Sequence, residues 1–443
     1  MRSCTWHKMR DSLEINSKIY PFLGQRWISD EELIEAIRSE SFYGIAKVDL
    51  MTPPEIIAEY EHLNFPVIFR LFSQFLRVCL LYNFLRKLNV EEEMLDPSIL
   101  EKAKSQGRTF PYETRTLTWS AEEIILVTPL LRRYLQLGLK ITKVYYAIQY
   151  APTKPFDLFV DELVEERIKY NKVNDARSDR AKFTLNSACG RFGLNLERQR
   201  KTKFALEENL QQNVRSPLVE RYHELHGEYQ TGIFEIIKKK SKITDKIPVQ
   251  CSLAIYQLSK LHFLDFVIVL HKYLRPLSFR LVYADTDSLM LSMSGDTLDD
   301  LVREDKLDDW KTNVYPKWFA DPEDRRQQKL PGLLKSEFRT QSGSMCALSP
   351  KCYMITDDTQ NRIKKSTKGT PRSTKLTLAA YEKALFDGIV PKTSFNQITA
   401  DKKLGSAVTK FVTKKAINPI YLKMRVSANL VDISPFKKND KFV

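Results

Sequence analysis

Asp285 and Asp287 stand two residues apart in LVYADTDSLML (281–291), a run whose other residues suit a buried strand. Side chains alternate along a strand, so Tyr283, Asp285 and Asp287 share one face, with the carboxylates at most about 7 Å apart. At an effective dielectric near about 20 their repulsion costs roughly 2–3 kcal/mol, so the pair calls for a counter-charge. A divalent ion at a hairpin tip would supply it. The plain alternative is an Asp-Thr-Asp turn closing a hairpin. With a metal, an Asp-x-Asp pair serves nucleotidyl transfer, in which two ions clamp the attacking 3′ oxygen and the triphosphate. It also serves sugar transfer from a nucleotide-sugar.

A second group of chemical residues lies upstream, in KFTLNSACGRFG (182–193). Lys182 and Asn186 are spaced i, i+4 on a helical stretch, with Ser187 beside them and Gly190 one turn on. A cation and an amide on one face suit gripping a triphosphate, and a glycine leaves room for a flat base pair. A basic, solvated helix ended by Gly190 and Gly193 is the plain alternative.

These residues need elements to hold them. Phe279, Leu281 and Tyr283 alternate with Arg280, Val282 and Ala284, so the acids sit at the mouth of a β-hairpin. The apolar stretch 252–274, closed by Pro276, predicts a long helix bracing it. FYGIAKVDLMTPP (42–54) predicts a strand ending at the Pro-Pro pair, then a helical stretch through residue 88. TWSAEEIILVTPLLRRYLQLGLKI (118–141) predicts a helix opened at Ser120 with Glu122 and Glu123 and stopped near Gly138. TKVYYAIQY (142–150) alternates as a strand. The segment 156–193 is helical and dotted with cations, among them Arg167, Lys169, Lys172, Arg177, Arg180 and Lys182. A polar stretch over 197–246 predicts a surface hairpin or insertion. NRIKKSTKGTPRSTK (361–375) predicts a solvated loop before a helix over 376–388.

The 443 residues are enough for a large core, and 43% hydrophobic with 11% aromatic content argues against disorder. The balance of 70 Lys+Arg against 55 Asp+Glu gives a net charge of +15, which points to a polyanionic partner, nucleic acid rather than a membrane surface. No apolar run is expected to span a bilayer. The nearest, FPVIFRLFSQFLRVCLLYNFL (65–85), is broken by Arg70 and Arg77 and suits an amphipathic helix. The first residues show no apolar secretion signal. Cys4, Cys79, Cys189, Cys251, Cys346 and Cys352 have no CxxC spacing, so reduced thiols in an intracellular protein are expected.

Taken together the two groups are far more specific than either apart. KFTLNSACG resembles the fingers motif Kx3NSxYG of B-family DNA polymerases, and YADTDS (283–288) resembles their palm motif YxDTDS. LSPKCYMI (348–355) resembles the KxY element of that family, through Lys351 and Tyr353. Order and rough spacing agree, over most of 40–370. The branch it most resembles is the protein-primed one of certain viruses, linear plasmids and self-replicating transposons. ITKVYYAIQYAPTKPFDLFVDELVEERIKYNK (141–172), PGLLKSEF (331–338) and STKGT (366–370) resemble segments of that branch.

The resemblance implies an α+β, right-hand architecture of palm, fingers and thumb, N-terminally incomplete. It divides the chain into a palm remnant with an insertion (1–155), fingers helices (156–196), a surface insertion or hairpin (197–246), a palm with the hairpin (247–354) and a thumb-like region (355–443). It implies template-directed DNA synthesis with Mg2+, primer–template DNA and dNTPs as partners, a terminal protein as primer, and no membrane. Asp287 would be the main metal ligand, Asp285 its neighbour tuning charge or contacting the primer end, and Tyr283 a support of the hairpin. Lys182 would contact the incoming triphosphate and act as general acid at the leaving pyrophosphate. Asn186, Ser187 and Gly190 would shape the base-pair pocket. Lys351, Tyr353, Lys368 and Gly369 would hold the primer strand.

Two departures stand out. Cys189 occupies the position of the motif tyrosine, which leaves sugar discrimination open. The first palm motif, DxxSLYP, is not found. DLMTPP from Asp49 is its nearest imitation, and Asp49 is expected to be a strand residue. No DxE exonuclease signature is found either, so the chain is expected to be the C-terminal portion of a polymerase. The alternatives are a catalytically inactive remnant that grips DNA, and a metal-dependent glycosyltransferase, which the NSxxG helix and the positive charge disfavour.

Overall fold

A computed structural model describes residues 13–18, 29–61, 68–69, 88–114, 117–152, 154, 156–171, 176–194, 196, 199–226, 230–242, 247–285, 288–324, 326–336, 343–357, 362–367, 369–371, 373–401, 406–427 and 433–435. It is a mixed α+β protein whose sheets are antiparallel.

The main sheet forms around β2 (Gly44–Met51), where Ile45, Ala46, Val48 and Leu50 are all buried. β2 pairs on one side with β7 (Ala121–Val127) and on the other with β8 (Lys140–Pro152), and β1 (Leu13–Lys18) pairs on the far side of β8. β7 is therefore an edge. Its Val127 N–H and Ile125 carbonyl are met by the side-chain amide of Gln257, at 2.7 and 2.8 Å. α1 (Asp30–Arg38) begins at a Ser29–Glu32 capping box and packs Leu33 and Ile37 into the same core. α2 (Pro54–Tyr60) starts at the Pro-Pro pair, as the fixed proline φ favours.

Two expectations are corrected here. Residues 121–127, expected to be helical, form β7; the helix is α4 (Thr128–Gln136), with Pro129 in its first turn and Gly138 beyond its end at φ +88°. The Glu-Glu-Ile-Ile-Leu-Val run is rich in β-branched residues, and its pairing on β2 overrides the capping pattern at Ser120. The helix expected to run on through residue 88 stops at Tyr60. Short strands follow, β3 (Ile68–Phe69) paired with β6 (Leu117–Thr118) and β4 (Leu88–Val90) paired with β5 (Tyr112–Thr114). Most of 65–85 lies outside the described residues. α3 (Pro97–Ser105) packs Ile99 and Ala103 against Ile420 and Leu422 from the far end of the chain.

α5 (Asp157–Asn171) and α6 (Ala176–Phe192) form an antiparallel pair whose small core is Val160, Val164, Ile168 and Leu185, closed by Ile255 and Leu330. The polar stretch after it is more than a hairpin. β9 (Arg200–Leu206), β10 (Val219–His226) and β11 (Gln230–Lys239) form a sheet in the order β10-β11-β9, with α7 (Glu207–Val214) joining β9 to β10.

α8 (Val249–Tyr273) corrects the expectation about membrane length, because by length and composition alone it could cross a bilayer. Here half of that stretch is buried inside the protein, where Leu258, Phe266, Val267 and Leu270 join the main core. The same core takes in Phe279 of β12 (Phe279–Asp285), Leu289 of β13 (Ser288–Met293) and Trp310 and Trp318, which flank the run between α9 (Leu307–Asp309) and the end of α10 (Tyr315–Trp318). Next come β14 (Ser344–Ser349), β15 (Cys352–Thr356) and β16 (Arg362–Ser366), a sheet backed by α11 (Leu378–Phe386). Residues 362–366, expected to be loop, are thus a strand, drawn out by pairing with β15. A long hairpin of β17 (Lys392–Asp401) and β18 (Ser406–Lys415) follows, then the short pair β19 (Arg425–Val426) and β20 (Ile433–Ser434).

Candidate functional site

β12 and β13 form the hairpin that the alternation predicts, with Asp285 paired to Ser288 at its turn end. A shift in register between Leu281 and Tyr283 lets Tyr283 turn inward while Asp285, two residues on, follows on the same face. Thr286 and Asp287 lie outside the described residues.

The counter-charge for Asp285 comes from 66 residues away. Lys351 Nζ stands 2.9 Å from Asp285 Oδ2. Lys351 lies in the tight turn between β14 and β15, where Ser349 pairs with Cys352, and takes a left-handed φ of 63°. That conformation is unfavourable for a lysine, and three contacts hold it. Its backbone N–H donates to the Tyr283 hydroxyl at 2.8 Å, its carbonyl accepts from Ser366 Oγ at 2.9 Å, and its ammonium meets Asp285. The rings of Tyr283 and Tyr353 meet at 4.9 Å in a small core with Ile355. Burial raises the Tyr283 phenol above its usual range, with the Asp285 charge adding to it, so the hydroxyl stays protonated and serves the turn.

Behind the turn the Tyr381 hydroxyl of α11 donates to the Ser366 carbonyl at 3.1 Å, and Tyr381 is fully buried. Tyr421 adds a third phenol near Tyr283, pushed up to about 12 by burial. Sequence reasoning missed Ser366, Tyr381 and Tyr421. Ser366 opens the STKGT stretch, but no spacing marks the two tyrosines. Gly369 turns at φ +86° and Lys368 is outside the described residues.

The second group stays on α6. Ala181, Leu185 and Ala188 face the small helical core. By the helical repeat, Phe183, Asn186, Ser187 and Gly190 point the other way. Asn186 and Ser187 are exposed, a side chain at Gly190 would meet open space, and Phe183 is 72% exposed. Lys182 lies on the flank, half-buried.

Among the described residues no three His, Cys, Asp or Glu side chains gather to hold a metal. Asp285 contributes one carboxylate, with an oxygen already on Lys351, so the described part of the hairpin does not by itself make a metal site.

Residues 59–269 match the family described as DNA polymerase type B, organellar and viral. That segment is similar in sequence to the family. No curated protein matches the chain. A solved structure of Phi29 DNA polymerase complexed with primer–template DNA is similar over 90% of this chain and 64% of that one, at 11% identity and a TM-score of 0.37. The chain thus spans less than two thirds of that polymerase's length. The family match includes KFTLNSACG on α6 and ends before the hairpin and Lys351.

Two positions compared with the family motifs in the sequence can be followed further. Asp49, the nearest imitation of the first palm motif, lies on β2 and accepts from the Glu123 backbone N–H at 2.6 Å and the Tyr145 hydroxyl at 3.1 Å. One oxygen serves the irregular pairing of β2 with β7, where Glu123 takes φ +53°, and the other holds Tyr145 of the neighbouring β8. Asp49 therefore acts here as a strand residue. Cys189 replaces the motif tyrosine on α6, and its side chain lies outside the described residues.

Proposed function

We propose that the chain is a DNA-directed DNA polymerase that adds dNTPs to a primer 3′ hydroxyl under template direction, on the protein-primed pattern. The observation that carries this reading is the joining of the YADTDS hairpin to the Lys351–Tyr353 turn, through one ion pair, one backbone hydrogen bond and one ring contact. Two motifs far apart in sequence meet at one place, next to the acid that the chemistry requires. The family match on the α6 motif supports it from an independent stretch of chain.

On this reading Asp285 and Asp287 would hold Mg2+, which would supply charge stabilisation at the phosphate under attack. Lys351 sets the charge and position of Asp285 and, with Tyr353, Lys368 and Gly369, lies along the primer strand. Lys182 meets the triphosphate, and Asn186, Ser187 and Gly190 border the new base pair. The cationic excess lies along the phosphate backbone, so duplex binding weakens steeply with salt and ignores sequence. The segments 156–196, 247–354 and 355–443 serve as fingers, palm and thumb.

The test is primer extension and primer–template binding by the full chain, beside Asp287→Asn. Template-directed extension that falls about 100-fold or more in the variant, with duplex affinity kept, is the expected result. Turnover of a UDP-sugar without dNTP turnover would overturn the reading. Duplex binding with no incorporation would replace it by a DNA-gripping remnant.

A further inference from the structure

The chain that leaves β18 runs between two cores built from distant parts of the sequence. Ala416 closes the foot of the β17–β18 hairpin, its N–H donating to the Pro391 carbonyl at 2.7 Å. Ile417 is then buried in the core that β14 and β15 share with α11, which also holds Leu348 and Cys352. Ile420 and Leu422 are buried in a different core, with Val90, Met94, Ile99 and Ala103 around α3. Lys102 of α3 adds a second link, donating to the Leu385 carbonyl of α11 at 2.9 Å.

Leu348 and Cys352 flank the turn that carries Lys351, and Ser349 pairs with Cys352 to close it. Asn418 meets both residues of that closing pair. Its carbonyl accepts from Ser349 Oγ at 3.2 Å, and its backbone bonds the Cys352 thiol. The Asn418 side chain holds this peptide in place, with Oδ1 accepting from the Ile420 N–H at 3.1 Å. A lysine at left-handed φ keeps that conformation only while its surroundings hold it. Tyr283 and Ser366 hold Lys351 itself, and Ile417 and Asn418 hold the residues on either side of it. An unbroken series of contacts thus runs from Ile99 on α3 through Leu422, Asn418 and the turn to Lys351 Nζ and Asp285 Oδ2.

We propose that residues 416–422 act as a strap through which the α3 core sets the position of Lys351 against Asp285, with Asn418 as the positioning residue. Buried side chains anchor both ends of the strap, so a shift of α3 reaches the turn as displacement instead of being absorbed by loose chain. The strap rests on these contacts alone. Its effect on nucleotidyl transfer, through the placing of Asp285, rests on the polymerase reading.

The test reads Lys351 directly, by the NMR signal of its side-chain Cε in protein carrying isotope-labelled lysine, assigned with Lys351→Arg and recorded without DNA. Leu422→Ala, at the α3 end, and Asn418→Ala should both move this signal, and Asn418→Asp, which keeps the capping oxygen, should leave it near the parent's. Ser349→Ala should move it too, and the Ser349→Ala/Asn418→Ala double variant should move it by less than the sum of the two. In primer extension at saturating dNTP, Leu422→Ala and Asn418→Ala should lower the rate about 10-fold with little change in the KM for dNTP. Thermal melting shows that each variant folds, and Leu422→Val takes the place of Leu422→Ala if that variant does not. A Lys351 signal that stays in place in the folded Asn418 and Leu422 variants overturns the strap. A moved signal with the parent's extension rate overturns its role in placing Asp285. A moved signal with no incorporation by the parent leaves the strap standing and sinks the polymerase reading.

Discussion

The hairpin region and the α5–α6 region handle charge in opposite ways. At the hairpin Asp285 is given its own lysine, and that lysine is fixed at both backbone ends by Tyr283 and Ser366. At α5 and α6 four cations converge, and the nearby acids are spent on other arginines. The acid of the first region is paired across the fold, and the cations of the second repel one another. Damage to the phenols that support the first should therefore appear as lost stability. Relief of charge in the second should appear as a change in how stability follows pH.

Tyr381→Ala offers the largest expected effect, since it empties a fully buried site behind the turn and removes the bond to Ser366. A loss of about 3–5 kcal/mol in urea unfolding is expected, with Tyr381→Phe losing only about 1 kcal/mol. Equal, small losses in both would show that the turn does not depend on α11. Leu330→Ala should cost about 2 kcal/mol in the same unfolding measurement. An unchanged midpoint would show that the 327–330 turn does not lean on the helical core.

Lys351→Gly should be neutral or stabilising by up to about 1 kcal/mol, because the left-handed φ favours glycine and the exposed ion pair contributes little. Lys351→Val at the same position should destabilise. The smallest effect concerns pH. Lys329 has its folded pKa below its unfolded one, so the charged form penalises folding at neutral pH. That penalty fades as pH rises through the folded value toward the usual lysine value of 10.5, and stability gains there. Lys335, Arg167 and Lys182 face it, with Arg326 and Glu165 nearby. Lys329→Gln should remove that slope, which parallel urea unfolding at rising pH would show.

Much of this was legible in the sequence, for identifiable reasons. The hairpin at 279–293 and the helices over 156–193 follow from side-chain periodicity, and the structure has both. The need of Asp285 for a counter-charge was readable, and Lys351 was singled out by its motif, yet nothing local says that the two meet. β7 was missed because a capping pattern is a short-range signal, while its pairing with β2 is made across more than 70 residues. The cationic surroundings of Lys329 were half legible: Arg167 and Lys182 stand out along their helices. Lys329 and Lys335 join them only through the burial of Leu330, which no spacing reveals.

The amide of Gln257 on the outer rim of β7 bears on the architecture of the whole chain. A free strand edge is an invitation to add another strand, and here an α8 side chain holds the N–H and carbonyl that a newcomer would use. On that side the main sheet ends at four strands. The later strands pair among themselves, and the chain continues as a series of small separate sheets.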